Sequence, residues 1–346
     1  GSIGATGHSV ILKSNIQTSK ADNNNGKLNV QAATTLTIGT ASVAPVWTVT
    51  NTLVVNAPTS ITATTGCQFL VTSTTGITSS GAFVATTGAL QVATTQGAIT
   101  ISATNVEATS GALTITAAHS TPATGKADIT ANLAAKAGTN NLLVTATGVL
   151  SLLGGVEKTY TSTGTTTLTG ATIVSPKATV TAGGAVVITG PWSASGTVSV
   201  SSTGSTVTLK DDVTTTGGSS NIVLNSNGAL ALSHATQTIK SGGTLAIAAS
   251  AATSTTATLD VAGDVTLTIA GDWTATAGTL TVKGAIINVD ANLKTATSGD
   301  LEIIGSGKLG ISDGKKFTSA GTTKLTGSVI ESAAAEVDSN GAVTVT

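Results

Sequence analysis

A short phrase recurs along the chain: a glycine is followed by four residues in which apolar side chains alternate with small or polar ones. Successive side chains of a β-strand point to opposite faces, so this alternation predicts short strands with one buried face. The leading glycine predicts a bend at the start of each strand. The phrases begin at Gly88, Gly97, Gly111, Gly184, Gly196, Gly228, Gly243, Gly263, Gly278, Gly299 and Gly341.

The spacing of these glycines indicates a repeat. Gly164, Gly184 and Gly204 are evenly spaced, and the interval from Gly243 to Gly263 is the same. A fixed period of this length is typical of repeat architectures, in which each unit is covered by its neighbours. No stretch of the chain shows sustained helical periodicity. The sequence therefore predicts an all-β, right-handed parallel β-helix (β-solenoid) with coils of about 20 residues.

Tandem β-sandwich domains are the alternative architecture, because they also use short strands and glycine-rich turns. A sandwich usually has aromatic core anchors and Asn-Gly hairpins, whereas aromatic residues make up 2% of this chain. Glycine spacing is less regular in the N-terminal third. We therefore expect a less regular β region over residues 1–84, which acts as a cap or assembly segment, and a regular solenoid over 85–346.

The composition of the chain indicates a folded protein with a thin core, and it excludes several classes of function. Charged residues are 9% of the chain, hydrophobic residues are 40% and the net charge is −1, which argues against disorder. The apolar residues are mostly small or β-branched, which suits a thin core repeated many times. No basic patch predicts nucleic-acid binding, and no apolar run is long enough for a membrane span. The single cysteine, Cys67, excludes an internal disulfide and is expected to be a buried small hydrophobe.

Candidate chemistry is sparse. The chain has no Arg, and His8, His119 and His234 share no motif. No serine lies in a nucleophile elbow, so we expect no enzyme, no catalytic residue and no cofactor. No zinc spacing or calcium-loop motif is present, so no metal site is predicted. The aspartates of the C-terminal half are expected to form solvated turns; they are Asp260, Asp264, Asp272, Asp290, Asp300 and Asp313.

Two features keep a binding role open. Trp47, Trp192 and Trp273 are expected to pack under corners or a cap, with sugar stacking as the alternative. Thr-x-Thr pairs place two threonines on one strand face, so stacked pairs would build a flat array suited to ice or carbohydrate. The pairs are Thr35/Thr37, Thr114/Thr116, Thr206/Thr208, Thr266/Thr268, Thr279/Thr281 and Thr344/Thr346.

The words of the repeat resemble those of a known family. Gly263-Asp-Val-Thr-Leu-Thr-Ile-Ala-Gly-Asp-Trp-Thr274, with Gly278-Thr-Leu-Thr-Val282 and Gly299-Asp-Leu-Glu-Ile303, looks like the haemagglutinin-type repeats of filamentous-haemagglutinin-like surface proteins. The resemblance covers the repeat texture from about residue 85 onward. It implies a right-handed β-helix with a structural or adhesive role in fibres on a cell surface.

The ends of a solenoid are open sheet edges with unpaired backbone groups. This chain ends on Gly341-Ala-Val-Thr-Val-Thr346 and begins near the apolar run Ser9-Val-Ile-Leu12. We therefore expect a non-catalytic extracellular fibre element: a filament subunit that joins head to tail, or the shaft of a longer adhesin. A carbohydrate- or ice-binding module is the alternative, with surface glycans as partners. The predicted assembly interface comprises Val10, Ile11, Leu12, Ala342, Val343 and Val345.

Overall fold

A computed structural model shows that the chain is an all-β, right-handed parallel β-solenoid, as predicted. It describes residues 2–5, 9–18, 27–40, 44–72, 76–154, 157–234, 236–254, 258–276 and 278–346. No helix occurs in these ranges, and hence none that could cross a membrane. The strand pairs whose register is resolved are all parallel, as in Leu90 with Leu113 and Leu301 with Thr323. A β-sandwich is built from antiparallel sheets, so the alternative architecture is excluded.

The chain divides into two compact units. The first comprises Gly1–Pro176 and Val180–Gly184, and the second comprises Lys177–Thr179 and Ala185–Thr346. The predicted boundary between residues 84 and 85 lies inside the first unit. That the β structure is less regular before this boundary than after it stays a prediction.

The first unit contains the strands up to β20 and most of β21. They are β1 Ser2–Ala5, β2 Ser9–Leu12, β3 Ile16–Gln17, β4 Leu28–Ala32, β5 Thr35–Ile38, β6 Val46–Val49, β7 Leu53–Ala63, β8 Cys67–Val71, β9 Ile77–Ala85, β10 Leu90–Thr94, β11 Ile99–Ser102, β12 Asn105–Ala108, β13 Leu113–Ala117, β14 Ala127–Ile129, β15 Asn132–Ala135, β16 Leu142–Ala146, β17 Val149–Leu152, β18 Lys158–Ser162, β19 Thr166–Thr169, β20 Thr172–Ser175 and β21 Ala178–Ala182.

The second unit contains the remaining strands. They are β22 Val186–Thr189, β23 Trp192–Ala194, β24 Val198–Ser202, β25 Val207–Leu209, β26 Val213–Thr215, β27 Ile222–Leu232, β28 Thr236–Ser241, β29 Leu245–Ser254, β30 Thr258–Ala275, β31 Thr279–Asp290, β32 Leu293–Thr295, β33 Leu301–Gly305, β34 Lys308–Ile311, β35 Lys316–Ser319, β36 Thr323–Thr326, β37 Val329–Glu331, β38 Glu336–Ser339 and β39 Val343–Val345.

Three strands make one coil, so each unit has three sheet faces. We name them A, B and C in chain order, separately for each unit. In the first unit β11 pairs with β14 on face A, β12 with β15 on face B and β13 with β16 on face C. In the second unit the same order is β33–β36, β34–β37 and β35–β38. Some long strands, such as β30, turn a corner and run along more than one face.

The coils are on average longer than the glycine spacing predicts. Together the two units contain about 14 turns with a spacing of about 22 residues. In the first unit Leu142 pairs with Leu113, an offset well above that mean, because a long loop separates β13 from β14. In the second unit Val343 pairs with Thr323, an offset equal to the glycine interval. Corner loops therefore set the coil length, while the inward rows stay in register.

The core consists of rows of inward side chains that stack from coil to coil. On face B of the second unit, Leu224, Ile247, Ile269, Val289 and Ile311 form one such row, and all are buried. In the first unit the rings of Trp47 and Phe69 lie 5.0 Å apart, and those of Phe69 and Phe83 lie 5.5 Å apart. The few aromatic residues are thus partly gathered into one cluster, where ring contacts add to the burial of apolar area.

The leading glycines are needed for close contact between coils as well as for bending. A Cβ atom at Gly88 would lie 1.9 Å from the backbone oxygen of Thr65 in the preceding coil. Gly66 does require the left-handed region, with φ +88°. Corner hydroxyls continue the contact: Thr86 Oγ1 donates to the Thr64 carbonyl oxygen at 2.9 Å, and Ser110 Oγ donates to the Thr86 carbonyl oxygen at 3.0 Å.

Candidate assembly surface

The last coil of the second unit, β37 to β39, presents an uncovered apolar layer. Its strands are in register with β34, β35 and β36 of the preceding coil. Val345 pairs with Leu325, which is only 4% exposed, yet Val345 itself is 59% exposed and Val343 is 48% exposed. The difference arises because the preceding coil is covered on both sides and the last coil on one. This layer is the largest group of exposed inward-row side chains among the described residues.

The predicted interface residues fall into several classes. Val343 and Val345 lie in the inward rows of the last coil, and Ala342 is exposed at the corner before them. Leu12 is half-buried and in register with buried Ile38, whereas Ile11 is in register with Thr37 and 59% exposed. Ile11 therefore lies on the outer surface of its coil. Val10 pairs with Leu36 through the backbone, and its side chain lies outside the described part of the structure.

Two of the three strands of the last coil carry carboxylates, β37 at Glu331 and β38 at Glu336 and Asp338. Glu331 forms an ion pair with Lys308. Lys316 Nζ lies 3.0 Å from Glu336 Oε1 and 3.4 Å from Asp338 Oδ2. Hydrogen bonds to Glu336 and Asp338, with the attraction of their charges, raise the pKa of Lys316 above its ordinary value. Both lysines belong to the preceding coil. From Leu325 to the end of the chain, every charged side chain of the sequence is negative.

A directional hydrogen bond links one coil to the next at the strand starts. An Asn or Asp directly before the first inward residue of a strand accepts the backbone N–H of the equivalent residue in the following coil. Asp272 Oδ1 accepts from Asn292 at 2.9 Å, and Asn292 Oδ1 accepts in turn from Lys316 at 2.8 Å. The other pairs are Asn15 with Val46 at 2.9 Å, Asn132 with Thr159 at 3.0 Å, Asn141 with Thr165 at 2.8 Å, Asp212 with Thr238 at 2.7 Å, Asn221 with Thr244 at 2.9 Å and Asp300 with Thr322 at 2.6 Å.

We call these contacts the corner ladder. In each of them the acceptor belongs to the earlier coil and the donor to the later one. Sequence reasoning missed it, although its signal is visible: an Asn or Asp stands immediately before an alternating apolar strand, as in Asn221-Ile222 and Asp300-Leu301. Side-chain acceptors of this kind satisfy backbone donors at element ends. Asp272, which is exposed, and Asp300, which is half-buried, are therefore inter-coil acceptors as well as the corner residues that the sequence predicts.

The hydrogen bonds of the corner ladder also lower the pKa of two aspartates. The backbone hydrogen bond from Asn292, followed by the side-chain bond from the same residue, holds the pKa of Asp272 below its usual value. Backbone and side-chain hydrogen bonds from Thr322 also lower the pKa of Asp300. A carboxylate that accepts such bonds is stabilised in its charged form. Asp290 instead lies 3.1 Å from Lys315 Nζ, and the side chains of Asp260 and Asp264 lie outside the described part.

The described residues contain no group of three or more His, Cys, Asp or Glu side chains placed to hold a metal ion. His119 Nδ1 accepts a hydrogen bond from Thr121 N at 2.7 Å, and His8 lies outside the described residues. Cys67 is buried, as expected from the sequence, and burial raises the pKa of its thiol. Burial likewise raises the pKa of Tyr160. Neither group is placed as a nucleophile.

The tryptophans are core residues. Trp47 and Trp273 are 0% exposed and Trp192 is 1% exposed, so no indole face is open to stack on a sugar. The sugar-stacking alternative is therefore wrong for all three. Trp273 is in backbone register with Ala252 and Leu293 on face C of the second unit, which places it between two coils in the core instead of under a cap.

One of the threonine pairs extends into a patch. On face C of the first unit, Thr116, Thr145 and Thr169 form one outward row, and Thr114, Leu143 and Thr167 form the next. Thr35 and Thr37 continue only to Ser60 and Thr62. Thr266 and Thr268 are followed by Ile286 and Asn288.

Comparisons with protein-family models, with curated proteins and with solved structures found no match to this chain.

Proposed function

We propose that this chain is a structural, non-catalytic element of an extracellular fibre, either a subunit that stacks end to end or the shaft of a surface adhesin. One observation carries the proposal: the apolar layer of the last coil, with Val343 and Val345 about half exposed on an otherwise buried stack. Strand edges with unpaired backbone groups beside exposed apolar side chains are templates for a further strand. A further coil would bury both at once.

The sequences of the repeats support the extracellular and adhesin parts of the proposal. The resemblance of Gly263–Thr274 to haemagglutinin-type repeats suggests a fibre on a cell surface. The cores of both units agree with a structural role, because their inward rows are filled by buried apolar side chains. Self-association, or continuation into the rest of a longer adhesin, is the partner that this surface suits.

Negative-stain microscopy and sedimentation of the purified chain test the proposal. The unaltered chain is expected to form fibres whose abundance rises with concentration. Val345→Asp places a charge in the apolar layer, so we expect it to abolish them, because an isolated buried charge is strongly unfavourable. Thr344→Asp is the matched control, since Thr344 lies on the same strand and points outward. It should leave fibres intact.

Circular dichroism of each variant separates loss of assembly from loss of fold. A Val345→Asp chain with an unchanged β-spectrum and no fibres supports the proposal. Strictly monomeric particles of the unaltered chain at every concentration would overturn the filament-subunit form and leave only the adhesin shaft. Fibres that survive Val345→Asp as well as they survive Thr344→Asp would overturn the role of the apolar layer.

A flat binding face is the second candidate, favoured by the threonine patch on face C of the first unit. Within a strand, residues two apart are about 7 Å apart, and neighbouring strands lie about 4.8 Å apart, so the patch is a small two-dimensional lattice of methyl and hydroxyl groups. Such a lattice suits ordered water or a carbohydrate chain. Ice-recrystallisation inhibition that is lost in Thr145→Lys and kept in Thr62→Lys would support this role, and no inhibition by the unaltered chain would remove the ice-binding form.

A further inference from the structure

Gly310 lies at an outward position in the middle of β34, on face B of the second unit, where the fold does not require a glycine. It is in register with Asn288 in the coil before and Glu331 in the coil after, and both pairings stay continuous through it. Its φ is not in the positive range, and the nearest atoms that a Cβ would meet are Asn288 Oδ1 at 3.3 Å and Lys308 Cε at 3.7 Å. A strand glycine at neither a bulge nor a bend marks a place where another molecule can approach the backbone closely.

The missing side chain opens a groove of about 350 Å³ on this face. Small-molecule sites are typically about 300–1,000 Å³ in volume. Polar side chains form the rim on all four sides of Gly310, because residues two apart on a strand point to the same face. They are Asn288 and Glu331 on the neighbouring strands and Lys308 and Ser312 on β34 itself, and all four are exposed.

The charges around this groove are largely compensated within the chain. Lys308 Nζ lies 2.5 Å from Glu331 Oε2, and Lys315 Nζ lies 3.1 Å from Asp290 Oδ1 on the rim. Asp313 adds one further carboxylate to the lining. The groove therefore offers hydrogen-bond donors and acceptors with little net charge and a slight excess of carboxylate. These groups suit an uncharged ligand with many hydroxyl groups, since hydroxyls can donate to the carboxylates and accept from the amide and the ammonium group.

A second groove, of about 410 Å³, follows on the same face. Its floor is formed by Ala248 and Ala270, with the amide of Asn225 beside them. Asn225, Ala248, Ala270 and Asp290 form one outward row, so the second groove ends where the rim of the first begins. From the coil of Ala270 to that of Gly310 is a distance of two coils, or about 10 Å. An oligosaccharide of several rings is long enough to reach from one groove to the other.

We infer that face B of the second unit binds a neutral polysaccharide chain that lies along the stacking direction of the coils. One part of the chain lies over Gly310, and the next part lies over Ala248 and Ala270. The described lining of both grooves is small and polar, without an aromatic ring, so each contact is weak by itself. Affinity is gained from chain length, because the second contact of a bound chain is intramolecular.

This site goes beyond the structural role proposed above and lies on a different unit from the threonine patch. It does not depend on fibre assembly, because outward side chains point away from the stacking direction.

Titration calorimetry of the unaltered chain, below the concentration at which fibres form, tests the inference. The probes are linear hexasaccharides of glucose, of mannose and of N-acetylglucosamine, each compared with its own disaccharide. At least one hexasaccharide should bind, and it should bind about tenfold or more tightly than its disaccharide. A heparin-derived hexasaccharide is the anionic comparison and should bind more weakly than the neutral probe.

Two isoleucine variants test the two grooves separately. Gly310→Ile fills the first groove and should remove measurable binding of both the hexasaccharide and the disaccharide. Ala248→Ile covers the floor of the second groove and should lower the affinity for the hexasaccharide to about that for the disaccharide. Thr318→Ile is the matched control, because Thr318 faces outward on face C in the same coil as Gly310, between Lys294 and Asp338. It should leave both affinities unchanged.

Isoleucine is favoured in strands, so each variant should keep its β-spectrum in circular dichroism. Asn288→Ala, which removes a rim amide without filling space, provides a second test if Gly310→Ile does not fold, and it should weaken binding several-fold.

The inference is overturned if no neutral hexasaccharide binds, if the heparin-derived probe binds best, or if binding survives both Gly310→Ile and Asn288→Ala. Equal affinity for hexasaccharide and disaccharide would overturn the extended ligand. Fibre formation by the Gly310→Ile variant should match that of the unaltered chain. Loss of binding with fibres intact therefore separates this site from the proposed function, and an unaltered chain that binds glycan without forming fibres keeps the site and removes the filament.

Discussion

The last two coils of the second unit have matching strands in register, yet they are in different environments. The coil of β34–β36 buries Leu309 and Phe317 at 0% exposure and Leu325 at 4%. The coil of β37–β39 leaves Val343 at 48% and Val345 at 59%, with its other inward positions half-buried. The first of these coils is covered by two neighbours and the second by one. Burial in a solenoid is therefore a property of the stack and not of the individual coil.

This comparison shows where stability and function reside. In a repeat protein, stability is approximately a sum of terms within each repeat and terms at each interface between neighbours. A coil with two interfaces contributes fully, and a coil with one contributes about half as much. The surface that adds least to the fold of the single chain is therefore the surface with most to gain from another coil.

The largest expected difference in unfolding free energy between the two coils is in the inward row of face C that contains Trp273, Leu293 and Phe317. Phe317→Ala should lower the free energy of unfolding of the second unit by about 3–5 kcal/mol, because it leaves a cavity in a covered layer. Val337→Ala, at the position in register with Phe317, should cost less than about 1 kcal/mol, because water already reaches that side chain. Urea unfolding of both variants, followed by circular dichroism in non-assembling conditions, measures the difference. Equal losses would mean that the last coil is as well covered as its neighbour.

A smaller difference in unfolding free energy is expected between two valines that lie in the same inward row. Val282 and Val345 lie in the same inward row of face A, at 0% and 59% exposure. Val282→Ala should cost about 2 kcal/mol, from two methyl groups at about 0.8 kcal/mol each plus a cavity contribution. Val345→Ala should cost less than about 0.5 kcal/mol in the monomer. The same urea titration checks both values, and equal losses would show that Val345 is already covered in the single chain.

Fibre formation provides a second test of the Val345→Ala variant. Once fibres form, the Val345 side chain should be covered, and Val345→Ala should then raise the critical concentration by several-fold. A Val345→Ala chain that assembles like the unaltered chain would show that the apolar layer stays exposed in the fibre.

Much of the fold was predictable because its signals are local. The alternation after Gly278, Gly299 and Gly341 predicts β31, β33 and β39, since a period of two can satisfy only a half-buried strand. Coil length was less predictable, because the loop between β13 and β14 lengthens a coil without disturbing the inward rows. The irregular offset between Leu113 and Leu142 follows from that loop.

The candidate surface was predictable in outline only. An apolar run such as Val10-Ile11-Leu12 does not reveal which residues face inward, and the backbone register places Ile11 on the outside. The sequence predicts only simple corner residues at Asp272 and Asp300, because a single sequence shows the corner but not the coil that stacks on it. The corner ladder depends on contacts between residues a full coil apart in sequence, which no local pattern contains.

The smallest expected effect concerns the acid sensitivity of the ladder in covered coils. Hydrogen bonds from Thr322 lower the pKa of Asp300 in the folded state. A lowered folded pKa means that the charged form contributes stability above the unfolded pKa, and that this contribution is lost as the pH falls through the folded pKa. Asp300→Asn keeps an acceptor of the kind that Asn221 provides and removes the titration.

The Asp300→Asn variant should therefore unfold at nearly the same urea concentration as the unaltered chain near pH 3, and at a slightly lower concentration near pH 6, where the charged carboxylate still contributes. Glu302→Gln, two residues after Asp300 on β33, removes the same charge and is the control. A gap between Asp300→Asn and the unaltered chain that widens toward low pH would show that the corner carboxylate acts through something other than its accepted hydrogen bonds.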